Sequence, residues 1–160
     1  ITSRKSQKKI TKKLDFKLFQ LDLSKLNNLS LFSKFLKKNK VKYFDMVIIC
    51  ASTLGNISTF KKLSFSNLKK TFEINFFGQI KFCNFLIKKK LLKKNSNLIF
   101  LSTSLCSPDP LFIEYTTSKH AQYALMLTMA EEYKNNGIHI NSIMPGQFHT
   151  KMNQIKRRIL

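Results

Sequence analysis

The stretch EYTTSKHAQ (114–122) sets a phenol at Tyr115 and an ammonium at Lys119, four residues apart. On a helix these side chains lie one above the other on a single face. A free phenol has a pKa of about 10 and is a sluggish proton donor and acceptor at neutral pH. A neighbouring ammonium favours the phenolate and draws that value toward the working range, which makes the pair a tuned general acid and base. An exposed tyrosine beside a solubilising lysine has the same spacing, and with 29 basic residues in the chain such coincidences are common. The elements that carry the pair decide between the two.

Strand-like and helix-like segments alternate along the chain, the pattern of βαβ units and a parallel sheet. FKLFQLD (16–22) reads as a strand ending in Asp22, and LSLFSKFLKK (29–38) as an amphipathic helix with Leu29, Phe32 and Leu36 on one side. FDMVIICAS (44–52) is a continuous apolar run suited to a strand buried on both faces. Ser64 or Ser66 caps a long helix reaching about Lys93. Leu68, Phe72, Phe76, Ile80, Cys83 and Ile87 form one stripe on it; Ile74, Phe77 and Phe85 form part of a second, an expected oligomer interface. NLIFLS (97–102) is the next buried strand, SPDP (107–110) breaks it into a loop, and a helix carries Tyr115 and Lys119 to about Asn136, with Gly137 as its cap. IHINSIM (138–144) is the last strand, stopped by Pro145 and Gly146.

The expected architecture is one α/β domain over residues 1–160, part of a doubly wound parallel sheet in three layers, α/β/α. In such sheets ligands sit at the carboxyl ends of the strands. Those ends are Asp22, Ala51–Ser52, Ser102–Thr103–Ser104 and Pro145–Gly146.

Composition narrows the classes of function. The net charge of +21 invites nucleic-acid binding, yet only Arg4, Arg157 and Arg158 among the basic residues are arginine. Arginine's planar fork is the usual tool for phosphate and base recognition. Abundant Lys, Asn, Phe and Ile with 4 Gly, 3 Pro and no Trp is what an AT-rich coding sequence gives, so no nucleic-acid partner is expected. The longest apolar run, MVIICA (46–51), is far short of the roughly 20 residues of a membrane helix. The basic start ITSRKSQKK lacks the apolar stretch of a signal peptide. Cys50, Cys83 and Cys106 form neither a metal spacing nor an even framework, so free thiols in a reducing cytosol are expected, and no metal.

Several motifs, in order, resemble the short-chain dehydrogenase/reductase family over nearly the whole chain. Tyr115-x-x-x-Lys119, with Ser118 and Ala121, is similar to the family's YxxxK in its SKxA context; INFFG (74–78) resembles its N-x-x-G; and NSIMPGQFHT (141–150) resembles its P-G-x-x-x-T. Asp22 after a strand matches the aspartate that contacts adenine. The resemblance implies reversible reduction of a carbonyl to a secondary alcohol by a nicotinamide cofactor, with Tyr115, Lys119, a hydroxyl and Asn75 as the catalytic set. Lys119 would also bind the nicotinamide ribose, and Asn75 would hold a water in the proton relay behind it. Ser102, 13 residues before Tyr115, is the first choice for the hydroxyl; matching the strand to the family's I-V-N-I-S-S picks Thr103, and Ser104 is third. Ala51, Pro145, Gly146 and Thr150, with Asp22, Tyr115 and Lys119, are the implied cofactor contacts.

TSR (2–4) resembles the end of the family's second strand, where an acid binds a ribose 2′-hydroxyl and an arginine accommodates a 2′-phosphate. Arg4 and Lys5 with no acid beside them favour NADP(H) over NAD(H), unless Arg4 belongs to a basic amino-terminal helix. The family's glycine-rich first turn is not in the chain, whose glycines are Gly55, Gly78, Gly137 and Gly146, and N-N-A-G becomes ICAS (49–52). The chain is therefore expected to be an internal fragment or degraded copy without the first βα unit and the carboxyl-terminal substrate segment, binding cofactor poorly. The alternative is an inactive remnant acting as an interaction or oligomerisation module through its Phe-rich long helix.

Overall fold

The computed structural model describes residues 2–3, 17–25, 28–103 and 110–146. Among the described residues five parallel strands form a two-stranded and a three-stranded sheet, in keeping with the expected α/β class. β1 (Thr2–Ser3) pairs with β2 (Phe19–Gln20), whereas β3 (Phe44–Ile49), β4 (Leu92–Leu101) and β5 (His139–Ile143) form a separate sheet in that order. β4 is central, and its Leu98 and Phe100 are fully buried, as expected of a strand covered on both faces. β3 pairs on one side alone among the described residues and leaves Met46 and Ile48 about half exposed.

The register Ile49↔Phe100↔Ser142 brings the carboxyl ends of the three strands level. Residues 50–53, 102–103 and 144–146 therefore emerge together at one end of the sheet. α1 (Leu29–Lys38) buries Phe32 and Leu36 as its periodicity predicts, and Phe32 meets Phe19, Phe82 and Phe85 at 5.1, 6.0 and 6.1 Å. β3 connects to β4 through α2 (Phe65–Phe72), a π turn (Glu73–Phe77) and α3 (Gly78–Lys88). β4 connects to β5 through α4 (Ile113–Tyr133), a 3-10 turn and Gly137, whose φ of +70° closes the helix as expected.

The long helix departs from its expected stripe. The buried line runs through Thr71, Asn75, Gly78, Gln79, Phe82, Cys83 and Leu86, while Leu68, Phe72, Phe76, Ile80 and Ile87 are only half-buried. A π turn adds one residue to a helical turn and rotates everything beyond it, so a stripe projected at constant period is broken there. Gly78 follows the turn because a Cβ would stand 2.2 Å from the Leu23 carbonyl oxygen, backbone that cannot move aside. The helix also ends at Lys88 rather than near Lys93: Leu91 N–H donates to Leu86 O at 2.9 Å, and β4 starts at Leu92. The polar residues Lys93–Asn97 hid the start of that strand.

Candidate active site

Tyr115 occupies the first turn of α4, half-buried beside the end of β4. Burial raises its pKa, and against that the Thr103 side chain favours its phenolate. Successive residues leaving a strand point to opposite sides, so Ser102 and Thr103 cannot both face α4. Ser102, the first choice from spacing, is buried, donates its N–H to Ile143 O at 2.9 Å, and its Oγ finds no partner among the described residues. Of the two described hydroxyls, Thr103 is the one that acts on the Tyr115 phenol.

Lys119 lies one turn on, 1% exposed, and its ammonium donates to the Leu101 carbonyl and to Gln122 Oε1, the latter at 2.8 Å. Burial lowers its pKa to about 8, against a smaller opposing effect of Cys50. The expectation that this ammonium draws the Tyr115 phenol down is not what the structure shows. Burial raises the Tyr115 pKa, and the group that lowers it is Thr103. The lysine's described hydrogen bonds go to neutral oxygens, and burial keeps the phenol protonated at neutral pH.

Asn75 sits in the π turn, fully buried, and its side chain is saturated. Nδ2 donates to Ser118 Oγ at 2.9 Å and to Thr53 O at 2.8 Å; Oδ1 accepts from Thr53 N at 2.8 Å and Ser52 Oγ at 3.2 Å. An amide has two donors and two acceptor positions, so none is left for a water and any such contact falls to the Asn75 main chain. Asn75 instead fastens the loop after β3 to α4.

The remaining expected residues divide. Asp22 stands half-buried just after β2, its Oδ1 accepting from Ser24 N at 3.0 Å and Ser24 Oγ at 2.8 Å. Ala51, Pro145 and Gly146 lie at the shared carboxyl end of the sheet, and the Ala51 carbonyl accepts from Gln79. Arg4, Ser104 and Thr150 lie outside the described residues. Sequence reasoning missed Glu114, Thr71, Gln79 and Gln122, all buried to 2% exposure or less. Glu114 Oε2 accepts from Thr71 Oγ1 at 2.8 Å and Asn56 N at 3.0 Å, packed so closely that a Cβ at Gly55 would stand 2.3 Å from it. The available signal was polar side chains at helical spacing from residues already singled out: Gln79 four after Asn75, and Gln122 three after Lys119.

A nicotinamide dinucleotide presents ribose hydroxyls and a carboxamide. The phenol of Tyr115, the Thr103 hydroxyl, the Lys119 ammonium and the unpartnered Ser102 hydroxyl, gathered at one end of the sheet, suit that half of the molecule. A glycine-rich turn to seat its pyrophosphate is not among the 160 residues.

Comparison with known proteins agrees with this fold. General stress protein 39 of Bacillus subtilis is 32% identical over 113 residues, 68% of this chain and 37% of that protein, so the chain spans less than half the length of that curated relative. A short-chain dehydrogenase/reductase from Saccharomyces cerevisiae superposes with a TM-score of 0.85 at 22% identity, covering 98% of this chain and 62% of that one. A 4-hydroxyisoleucine dehydrogenase solved with NADH superposes at 0.81 with 24% identity, covering 98% and 66%. A profile of the short chain dehydrogenases matches residues 2–158, nearly the entire sequence, and the chain belongs to the short-chain dehydrogenase/reductase family.

Proposed function

We propose that the protein is, or is the core of, an NADP(H)-dependent oxidoreductase that interconverts a small-molecule carbonyl and a secondary alcohol. The observation that carries the reading is the gathering of Tyr115, the Thr103 side chain that favours its phenolate, and the buried Lys119 at the end of the central strand. The cofactor, when bound, supplies the hydride. Tyr115 and Thr103 together hold the carbonyl oxygen, and Tyr115 gives its phenolic proton to that oxygen as negative charge develops there. In this reading Thr103 favours the phenolate that remains, and the buried Lys119 ammonium holds the nicotinamide ribose. Asn75 keeps the loop after β3 against α4, so the site stays assembled. Asp22, Ala51, Pro145, Gly146 and Thr150 complete the cofactor contacts in this reading.

Arg4 and Lys5 beside β1, with no acid near them in sequence, support the phosphorylated nucleotide. The free thiols of Cys50 and Cys83 accord with a cytoplasmic setting, and no helix among the described residues is long and apolar enough to cross a membrane. Phe65 at 73% and Phe77 at 45% exposure support homo-oligomerisation through the 64–93 segment. The same exposed rings favour the second reading, a remnant serving as an interaction module. Equilibrium titration of each reduced nucleotide, followed by its fluorescence, tests the cofactor assignment. NADPH is expected to bind more tightly than NADH, and Arg4→Asp to remove that preference; a preference for NADH would sink it.

A further inference from the structure

The buried face of α4 does not stop at Lys119. Gln122, fully buried, turns its amide oxygen to the ammonium at 2.8 Å. Lysine only donates, so the oxygen must face it, and this fixes the rest. Gln122 Nε2 donates to Gln79 Oε1, and Gln79 Nε2 donates to the Ala51 carbonyl at 2.9 Å. The bonds all run in one sense, from a charge through two amides to main chain at the end of β3. Each amide has its negative end toward the ammonium, and bonds in such a chain polarise one another.

Nothing in packing demands this. Further along the same helices Phe82, Cys83, Leu86 and Met126 bury apolar side chains. Burying two amides costs free energy unless every donor and acceptor is met. The described ion pairs use Lys81, Lys93 and Lys134, leaving Lys119 with neutral oxygens instead of a carboxylate. The groups that act on it are the Leu101 carbonyl from β4, the Cys50 thiol after β3 and the Gln122 amide on its own helix, with neutral Gln79 from α3 bonded behind Gln122.

We propose that Gln122 and Gln79 are positioning residues for Lys119, an amide clamp that fixes its ammonium beneath the ends of β3 and β4 and keeps it protonated where no carboxylate stands beside it. The clamp matters for catalysis only through the role of Lys119 in the proposed reductase site given above.

The test is a pH titration of the full chain labelled at lysine Cε, read by 13C NMR, with the Lys119 resonance assigned by its loss in Lys119→Met. The wild-type midpoint is expected at about 8. Gln122→Leu, close in volume, should lower it by about one unit, a tenfold loss of proton affinity. Gln122→Glu should raise it, and Gln79→Leu should lower it less, because the Gln122 oxygen remains. A purely structural role predicts altered stability with an unmoved midpoint. If Gln122→Leu does not fold, Gln122→Glu and Gln79→Leu carry the test in opposite directions. An unmoved midpoint in the folded variants overturns the clamp. No nucleotide or turnover enters the measurement. A shifted midpoint in a chain that reduces no carbonyl would remove the reductase reading alone, and an unmoved midpoint in an active enzyme would remove the clamp alone.

Discussion

Asn75 and Ser118, 43 positions apart, are joined by a 2.9 Å hydrogen bond from Nδ2 to Oγ, and Ser118 in turn donates to Tyr115 O at 2.8 Å. The π turn is thereby tied to the helical turn between the phenol and the lysine. Asn75→Leu strands both polar groups of the Thr53 main chain, and an unmet buried group costs about 1–3 kcal/mol. The expected loss is about 2–4 kcal/mol, against about 1 kcal/mol for Ser118→Ala, in urea unfolding. Equal effects of the two substitutions would contradict this account of the joint.

Lys119 gives stability a pH dependence of known sign. Burial depresses its folded pKa from the usual 10.5 to about 8, so between those values the unfolded chain holds more protons than the folded one. Its contribution to stability should rise as pH climbs through that window, by up to about 3 kcal/mol, as the cost of burying the charge is relieved. Cys83, which burial pushes up to about 12, and Cys50, also raised, act in the opposite direction from about pH 9. Tyr115 does so above about pH 10, so the useful range runs from about pH 8 to 9. Urea midpoints across that range should climb in the wild type and stay flatter in Lys119→Met. Parallel curves would mean that the ammonium is not desolvated.

β3 bonds only β4 among the described residues and turns Met46 and Ile48, at 52% and 51% exposure, to solvent. A sheet edge with apolar side chains beside it templates association. The isolated chain should elute above monomer size in size-exclusion chromatography at moderate salt, and Met46→Lys with Ile48→Lys should shift it toward monomer. A monodisperse, cooperatively unfolding wild-type monomer would oppose both this surface and the Phe65–Phe77 face as contacts.

Much of this was legible in the sequence where one local rule acts. NLIF reads as a buried strand and buries Leu98 and Phe100, whereas MVII forms a strand but an edge one, with Met46 and Ile48 half exposed. Tyr115 and Lys119 stood out by spacing, Asn75 by family resemblance. The misses occur where geometry accumulates over several residues. One extra residue in the π turn moved the buried face of the long helix onto Thr71, Asn75 and Gln79, which no constant period anticipates. Gln122 and Gln79 looked like ordinary helix surface, because pairing across 43 positions is visible only when the helices are packed.

The central claim is that the Tyr115 phenol donates the proton during carbonyl reduction. It is tested most directly by steady-state reduction of a carbonyl panel, following absorbance of the reduced nucleotide. The chain would be joined at its amino terminus to a glycine-rich βα unit that supplies the pyrophosphate seat. Tyr115→Phe keeps the ring and the helix and removes only the hydroxyl. Turnover should fall about 10²–10⁴-fold or more, with the fold and nucleotide affinity retained. Thr103→Ala should follow it in the same direction, and Ser102→Ala should not. Full activity in Tyr115→Phe would make the phenol a bystander and contradict the mechanism proposed for this site.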